Sequence, residues 1–495
     1  MEKLENHFEP FRRNTIGFQQ VFDSPYGPQR MIYADWIASG RLYKPIEDRI
    51  TQVFGPFIGN THTETSETGT LMTKAYHYAH KLIKEHVHAC KDDVIITAGS
   101  GMTTVINKMQ RIMGLKNCGM LNRRDCIQKN DKPVVFLTHM EHHSNQTSWF
   151  EANVDVVVLQ PDKNLLIDLN ELRRQLELYK DRSFKIGSFT ACSNVTGIET
   201  PYHEMAKLMH EYGGIVFVDF AASAPYIDID MHPDDDEMKK LDAIFFSPHK
   251  FLGGPGSSGV MIFDRSLYNN PTPDNPGGGT VDWTNPWGEY KYIDDIEIRE
   301  DGGTPGFLQA IRTALAIEVK NHMGTINIRN REHELTQKAF SGFRKIKGLH
   351  ILADNTEDRL GVFSFYLEQI HFNLVVKLLN DRFGIQVRGG CACAGTYGHY
   401  LLDVSYAKSK AITDLINHGD LSQKPGWIRA SLHPTMTDQE LDQLMEAVVE
   451  ISENHSAWGK DYIYNKQTNE FRHINECADK TDLIKPWFVF EKENG

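Results

Sequence analysis

Short apolar runs alternate with amphipathic stretches between residues 94 and 263. The runs show no regular polar alternation, which is typical of strands buried on both faces of a sheet. They lie at 94–97, 134–138, 154–159, 184–190, 215–218, 243–246 and 259–263. The stretch 200–213 carries Met205 and Leu208 at helical spacing, after Thr200 and Pro201 as N-cap and first helical residue. The pattern predicts an α/β fold with a mostly parallel sheet between helices.

The second half of the chain predicts a smaller unit. Residues 271–306 are rich in Pro and Gly but also carry aromatic residues, which favours hairpins over a flexible linker. One long helix is expected at about 307–345. Shorter segments at 361–367, 373–381 and 385–387 follow it. Their mixture of strand and helix patterns predicts a smaller α+β domain.

These patterns divide the chain into four segments. At 495 residues the chain is long enough for two or three domains. Thr437 and Glu440 form a capping-box pattern that begins a further helix of the smaller domain. The expected segments are an N-terminal extension at 1–30 that belongs to the small domain or to a dimer arm, a large domain at 31–325, a small C-terminal domain at 326–455 and a tail at 456–495.

Composition and charge narrow the classes of function. The chain holds 53 basic and 66 acidic residues, and its net charge of −13 argues against a nucleic-acid or anionic-membrane partner. The seven cysteines are scattered, and the spacing of Cys391 and Cys393 is too short for the usual zinc pairing, so we expect no disulfide framework and no metal. The first residues carry charges where a signal peptide needs an apolar segment, and no run of about 18 apolar residues occurs. These features predict a cytoplasmic protein.

Four polar residues follow the carboxyl ends of four different predicted strands. They are His142, Asn194, Asp219 and Lys250. Parallel α/β sheets bind their ligands at this edge. An acid, a lysine, an imidazole and an amide are the groups that a pyridoxal phosphate (PLP) ring needs. The alternative is that these are solvated loop residues, since loops are polar in any case.

Two polar stretches add weaker signals. Small residues at 98–104 precede a helix expected from Val105 and would free backbone N–H groups for an anion such as phosphate. Glycine also occurs at such junctions for packing alone. Residues 59–69 are polar and lack periodicity, so they form either a solvated loop or the mouth of an active site.

Several motifs occur in one order along the chain. They are Glu141-His142-His143-Ser144-Asn145, Asn194-Val195-Thr196-Gly197, Asp219, Ser247-Pro248-His249-Lys250, Arg388-Gly389-Gly390-Cys391-Ala392-Cys393 and Trp427-Ile428-Arg429-Ala430-Ser431-Leu432. Together they resemble the class V aminotransferase family of fold-type I PLP enzymes, and most of all its group II cysteine desulfurases and selenocysteine lyases. The resemblance covers about 33–449 and implies a large PLP-binding domain with a smaller α+β C-terminal domain.

The resemblance implies a PLP site. Lys250 would hold PLP as a Schiff base and move protons at the substrate Cα, Asp219 would face the pyridine nitrogen, and His142 would stack on the ring as an acid–base group. Thr304 would reach the phosphate in a partner subunit, which implies a homodimer with shared active sites. The implied cofactor residues are Lys250, Asp219, Asn194, His142, Gly101, Met102, Thr103, Ser247, His249 and Thr304.

The resemblance also implies a reaction on a small amino acid. Arg429 would clamp the substrate carboxylate. Cys393 matches the desulfurase nucleophile, so its thiolate would take sulfur from L-cysteine as a persulfide, leave alanine and pass the sulfur to an acceptor protein. The further implied substrate residues are Arg388, His62 and Asn60. The implied catalytic residues are Lys250, His142 and Cys393.

The chain departs from the family pattern at several places. Ala222 stands where a glutamine is usual, Met102 where a threonine is common, and Cys391 with Ala392 where two histidines are usual. The segment between Cys393 and Arg429 is also longer than usual, with 397–418 as the insertion. Without a working cysteine, the same residues would serve a C–S or selenocysteine lyase, an epimerase or an aminotransferase. A non-catalytic scaffold with the same fold is a further alternative.

Overall fold

The computed structural model describes residues 4–61, 63–116, 132–476 and 480–490. The strands are β1 (Val21–Ser24), β2 (Gly27–Arg30), β3 (Ile32–Tyr33), β4 (Asp93–Ala98), β5 (Val134–Leu137), β6 (Asp155–Val158), β7 (Lys185–Thr190), β8 (Ile215–Asp219), β9 (Ala243–Phe246), β10 (Gly259–Asp264), β11 (Val281–Thr284), β12 (Tyr290–Tyr292), β13 (Leu349–Ile351), β14 (Val362–Leu367), β15 (Ile385–Gln386), β16 (Arg388–Gly390), β17 (Trp427–Ser431), β18 (Tyr462–Asn465) and β19 (Glu470–His473).

The helices are α1 (Leu4–His7), α2 (Glu9–Arg13), α3 (Lys44–Arg49), α4 (Glu67–His86), α5 (Met102–Ile112), α6 (His143–Phe150), α7 (Leu169–Leu178), α8 (Tyr202–Glu211), α9 (Ile296–Arg299), α10 (Phe307–Met323), α11 (Thr325–Phe343), α12 (Phe372–Phe383), α13 (Gly395–Leu401), α14 (Tyr406–Asn417), α15 (Asp438–Trp458) and α16 (Thr481–Ile484). Short 3₁₀ or π turns lie at Ile50–Phe54, Gly55–Phe57, Glu237–Lys239, Pro248–Lys250, Arg265–Leu267, Gly459–Asp461 and Lys485–Phe488. None of the described helices is both long and apolar enough to cross a bilayer.

A seven-stranded sheet forms the centre of the large domain, in the order β4-β10-β9-β8-β7-β5-β6. Strands β9, β8, β7, β5 and β6 are parallel to one another. Strand β10 runs antiparallel to both β9 and β4, so β4 has the direction of the parallel group. The mostly parallel sheet predicted from the sequence is confirmed. Six strands therefore end at the same edge, where ligands of such sheets bind.

The sheet is buried on both faces, as the continuous apolar runs predict. In β5, Val134 and Phe136 pack into a cluster that includes residues of α7, α8 and α10. Val135 and Leu137 point to the opposite face and pack with residues of α5 and α6. Burying each such side chain contributes about 1.5–3 kcal/mol. The two clusters fix the sheet between its helix layers and so fix the strand ends.

The smaller sheet has the order β13-β14-β17-β16 and is antiparallel. Aromatic rings join it to α11, with Phe340 and Phe363 at 4.9 Å between centroids and Phe343 and Phe365 at 5.1 Å. Helix α15 packs against both α11 and α12. This sheet places β16 and β17 beside the carboxyl edge of the large sheet.

A segment near the start of the chain and a hairpin after α15 pack on the small domain. Phe8 is fully buried, and Glu5 accepts the N–H of Asp438 at 3.0 Å at the start of α15. At the other end, β18 and β19 form a hairpin. Tyr462 donates to Asp381 of α12 at 3.0 Å. No sequence pattern indicated this hairpin, which adds a wall beside α12.

The structure differs from the predicted helices at residues 200 and 324. The helix expected at about 307–345 is broken at Gly324, whose φ of +76° is a left-handed conformation that ends α10 before α11 begins. Thr200 does not cap α8, which begins at Tyr202. The Thr200 hydroxyl instead donates to the carbonyl of Thr190 at 2.6 Å and ties this loop to the end of β7.

The predicted capping box at the start of α15 is confirmed and offers a stability test. Thr437 Oγ1 accepts the N–H of Glu440 at 3.0 Å, and Glu440 Oε2 accepts the N–H of Thr437 at 3.1 Å. We expect Thr437→Ala to lower the free energy of unfolding by about 1 kcal/mol, measured by urea denaturation. The control is Thr413→Ala on the exposed face of α14, for which we expect a change within about 0.5 kcal/mol. Equal losses in both variants would contradict the cap.

Candidate active site

The carboxyl ends of β4, β5, β7, β8 and β9 lead into one cavity of about 200 Å³. Loops of the large domain form most of its wall, and the segments around β16 and β17 close it. The predicted residues in this wall are Lys250, Asp219, Asn194, His142, Met102, Thr103, Ser247, His249, Arg388, Arg429 and Cys393. The structure therefore brings most of the predicted site together.

Lys250 and Asp219 form the charged centre of the cavity. Lys250 ends the short turn after β9, and Asp219 is the last residue of β8. Burial lowers the pKa of Lys250 to about 8, while the charge of Asp219 acts in the opposite direction. Burial raises the pKa of Asp219 to about 6, although the N–H of Ala221, 2.8 Å from Oδ1, and Lys250 both lower it. At neutral pH a larger share of Lys250 amines is uncharged than for an exposed lysine, which makes Lys250 a better nucleophile.

His142 is neutral and is held in one tautomer. It caps α6, and its Nδ1 accepts the N–H of Ser144 at 3.1 Å. Because Nδ1 accepts, the proton of the neutral ring lies on Nε2. Burial and, to a smaller extent, the nearby charge of Lys250 lower the pKa of His142 to about 3. At pH 7 the ring therefore offers an N–H donor and carries no charge.

The N-terminus of α5 forms a cradle for an anion. The helix begins at Met102, before the predicted position, because the small-residue junction already forms its first turn. The N–H of Met102 donates to Ser247 Oγ at 2.9 Å, and a Cβ on Gly101 would lie 3.1 Å from the same oxygen. The hydroxyls of Thr103 and Ser144 are 2.6 Å apart beside it. Hydroxyl groups at a helix N-terminus suit a phosphate.

Cys393 lies in a tight turn between β16 and α13. The backbone φ is +50° at Ala392 and +57° at Cys393, and the N–H of Ala394 donates to the carbonyl of Cys391 at 3.1 Å. These are the features of a type I′ turn, which more often uses Asn or Gly at both central positions. A left-handed conformation costs about 1 kcal/mol for each of the two residues.

Loops of the large domain hold this turn in place. Asn194 Nδ2 donates to the carbonyl of Ala392 at 2.7 Å, and the N–H of His143 donates to the carbonyl of Cys393 at 2.8 Å. The N–H of Gly395 donates back to His143 Nε2 at 3.0 Å. These bonds join the loops after β5 and β7 to the cysteine turn. They offset the cost of its left-handed backbone and keep Cys393 on the cavity wall.

Asp35 positions the two arginines of the site. Its Oδ1 accepts Arg429 Nη2 at 3.0 Å, and its Oδ2 accepts Arg388 Nε at 3.1 Å. Arg429 also donates to the carbonyl of Asn194 at 3.1 Å. Burial lowers the pKa of Arg429, while Asp35 raises it. Arg429 Nε is buried and has no partner among the described residues, so its N–H remains for a ligand.

Thr304 and Asn60 do not meet this cavity. Thr304 donates to Asn60 Oδ1 at 3.3 Å, and both residues are exposed. Neither is part of the cavity wall that the described residues form. His62 lies outside the described residues. The roles of all three stay predictions.

The sequence matches a family model over most of its length. The model of the aminotransferase class-V family covers residues 32–444. The protein therefore belongs to the class V aminotransferase family, whose members are PLP-dependent enzymes.

Individual relatives are similar along most of the chain. A protein of Halalkalibacterium halodurans named probable cysteine desulfurase is 28% identical over 382 residues, which are 76% of this chain and 86% of that protein. One of Staphylococcus epidermidis with the same name is 27% identical over 440 residues, 88% of this chain and 95% of that protein.

Solved structures show the same fold. A cysteine desulfurase from Thermococcus onnurineus has a TM-score of 0.70 at 20% identity, covering 90% of this chain and 98% of that chain. One from Escherichia coli has a TM-score of 0.69 at 22% identity, with the same coverage. The fold-type I architecture expected from the sequence is confirmed.

The residues of the cavity fit PLP. The cradle at Gly101 suits the phosphate, the Asp219 carboxylate suits the pyridine nitrogen, and the Lys250 amine suits the aldehyde. Asn194 Oδ1 is buried and has no partner among the described residues. Leaving a buried acceptor unsatisfied costs about 1–3 kcal/mol, so a ligand that donates to it is favoured. PLP would be held by these residues together with Ser247.

Sequence reasoning missed two residues of the site, Asp35 and Ser144. Asp35 lies two residues after β3, so the rule that found Asp219 at a strand end would also have marked Asp35. Ser144 contacts both Thr103 and His142, which no spacing indicates. Ala222, which the sequence already marked as a departure from the usual glutamine, lines the cavity with a methyl group.

The lowered pKa of Lys250 predicts how PLP incorporation depends on pH. Only the uncharged amine attacks an aldehyde, so the rate should rise with pH through a midpoint near the pKa of about 8. An ordinary lysine would place that midpoint at about 10.4. The measurement is the growth of visible absorbance after cofactor-free protein and PLP are mixed at different pH values. Lys250→Ala should develop no such band, and a midpoint as high as that of an ordinary lysine would contradict the burial argument.

Proposed function

We propose that this protein is a cysteine desulfurase, which removes sulfur from L-cysteine, releases alanine and leaves a persulfide on Cys393. The observation that carries the proposal is that Cys393, Lys250 and Arg429 line one cavity. A thiol, a cofactor-binding amine and a carboxylate-binding guanidinium are the three groups that this reaction needs. The similarity to proteins named probable cysteine desulfurase supports the same activity.

The residues of the cofactor site prepare the substrate for removal of its Cα proton. When bound, PLP supplies an electron-accepting ring that makes the substrate Cα acidic. Asp219 keeps a negative charge beside the ring nitrogen and favours its protonated form. Lys250 first holds the cofactor and then moves a proton at the substrate Cα, which its pKa of about 8 allows near neutral pH.

Arg429 orients the substrate. Its Nη1 and Nη2 are held by the carbonyl of Asn194 and by Asp35, while the unpartnered Nε–H remains to donate to the substrate carboxylate. Arg388 shares Asp35 and adds a second positive charge to the same wall. This orientation places the substrate carboxylate toward β17 and the substrate side chain toward the cysteine turn.

Cys393 accepts the sulfur. Its thiolate attacks the substrate sulfur, so that an S–S bond forms and the Cβ–S bond breaks. The electron pair of the broken bond stays with the carbon skeleton, which takes up protons and leaves as alanine. The products are alanine and a persulfide, and no outside oxidant or reductant is needed. His142, neutral with a proton on Nε2, is a proton donor for this step.

We also propose a homodimer that shares its active sites. The hairpin of β11 and β12 exposes Trp287 by 83% and Tyr290 by 57%. Large exposed apolar groups mark interfaces between chains. Asn60 and Thr304 lie apart from the cavity of their own chain, which suits a role in the site of a partner subunit.

We further propose a cytoplasmic location, an acceptor protein for the sulfur and a domain boundary at residue 325. The free thiols of Cys90, Cys192, Cys391 and Cys393 suit a reducing compartment.

The break at Gly324 supports the boundary, since α10 contacts the large domain and α11 contacts α15. A persulfide on a thiol must be passed on before the next turnover, which is why an acceptor is required.

Replacing Cys393 tests the proposed reaction. We expect Cys393→Ser to bind PLP with the visible absorbance of wild type but to form no alanine from L-cysteine, because serine cannot accept sulfur. Alanine and protein-bound sulfur are measured in a single turnover by chromatography and mass spectrometry. Alanine formation at the wild-type rate by Cys393→Ser would contradict the persulfide mechanism. Pyruvate and ammonia in place of alanine would show a lyase.

Replacing Trp287 tests the proposed dimer. Sedimentation should give twice the mass of the chain for wild type. We expect Trp287→Asp to weaken association about tenfold or more, because a buried charge replaces an aromatic anchor. Tyr406→Asp, at a residue exposed by 86% on α14, is the matched control and should stay dimeric. A wild-type monomer would contradict the shared site.

A further inference from the structure

A large groove lies on the other side of the cysteine turn. It encloses about 850 Å³ between α12, the turn and the hairpin of β18 and β19. Cys393 and Ala392 line both the Lys250 cavity and this groove. Cys391 lines the groove but is not part of the cavity wall. The two thiols therefore face two different compartments, with Cys393 at the boundary.

The turn keeps the two cysteines close together. Its first and last residues, Cys391 and Ala394, are joined by a hydrogen bond of 3.1 Å. A turn of this kind brings its end residues within about 7 Å, and Cys393 lies inside it. Cys391 is half-buried and Cys393 is exposed. The chain between their Cα atoms cannot extend beyond about 7 Å, so rotation of the two side chains can bring the sulfur atoms together.

We propose that Cys391 takes the terminal sulfur from the persulfide on Cys393 and presents it in the groove. This inference rests on the proposed desulfurase function. In the transfer, the Cys391 thiolate attacks the outer sulfur, a new S–S bond forms on Cys391, and the S–S bond to Cys393 breaks. Cys393 leaves as a thiolate, and no net oxidation or reduction occurs. Cys393 is then ready for the next substrate.

The arrangement of the two cysteines sets the direction of the transfer. Cys393 lines the cavity in which the persulfide forms, whereas Cys391 lines only the groove. The transfer moves sulfur out of the enclosed cavity and into a groove that is open to solvent.

The groove favours an anionic acceptor thiol. Its lining includes five basic side chains and two acidic ones. Lys377 and Lys480 pair with Glu476. Lys424 and Arg472 form no ion pair with any residue that the structure describes. In a chain of net charge −13, this local excess of positive charge attracts a thiol that carries carboxylates.

A time-resolved single turnover tests the transfer. Holoenzyme is mixed with ³⁵S-labelled L-cysteine, quenched with acid and alkylated, and the label is located by fragment-ion mass spectrometry. In wild type we expect label on Cys393 first and on Cys391 later. In Cys391→Ser the label should stay on Cys393 and the first alanine should form at the wild-type rate. Steady-state turnover of Cys391→Ser with mercaptosuccinate as acceptor should fall about tenfold.

Other outcomes separate the two proposals. Label confined to Cys393 at all times in wild type, with equal turnover in Cys391→Ser, would overturn the transfer while leaving the desulfurase function intact. Label on Cys391 in Cys393→Ser, or a disulfide between the two cysteines with release of sulfide, would also overturn it. Absence of alanine in wild type would contradict the desulfurase function itself.

A matched control separates the effect of Cys391 from the general loss of a thiol. Cys90 is a free and exposed cysteine that lies outside both the groove and the cavity. We expect Cys90→Ser to keep wild-type turnover with mercaptosuccinate. A loss in Cys90→Ser equal to that in Cys391→Ser would overturn the assignment to Cys391. Cys391→Ala, which lacks the hydroxyl, should show the same loss as Cys391→Ser.

Discussion

The common direction of six strands is the constraint on which this site depends. Their carboxyl ends meet at one edge because β10 alone reverses the chain within the sheet. Each loop at that edge begins at a position that apolar packing on both faces has already fixed. Asp219 ends β8 and Lys250 ends the short turn after β9, so no flexible segment separates either side chain from its strand. The two residues can therefore be buried near each other. The small domain then supplies its arginines and its cysteine to a surface that is already rigid.

Buried charges in this site are tolerated because each one has a partner. Taking an ion out of water costs several kcal/mol unless an opposite charge or hydrogen bonds compensate. Lys250 faces Asp219, and Asp35 serves both Arg429 and Arg388. The compensation is incomplete for Lys250, whose pKa is lowered by burial. That imbalance leaves a larger share of the Lys250 amine uncharged at neutral pH, whereas Asp35 and the carbonyl of Asn194 hold Arg429 in one position.

The parts of the structure that local sequence encodes were predictable. Strand runs, the capping box and the residues at strand ends depend on neighbours in the chain, so Asp219 and Lys250 were found. The position of Asp35 after a short strand is visible in the sequence, but its arginine partners are more than 350 residues away, and local patterns carry no record of those contacts. The hairpin of β18 and β19 was missed for the same reason, because its partner is α12. Gly324 breaks a helix whose apolar pattern continues on both sides.

The hairpin has a further consequence for how the protein evolves. The family match ends at residue 444, whereas the hairpin lies at residues 462–473. The residues that line the cavity all lie within the part of the chain that the family model covers, and one wall of the groove is built from a segment beyond it. Substitutions in that wall change none of the residues that line the cavity. Selection can thus change the shape and charge of the groove while the wall of the cavity stays constant.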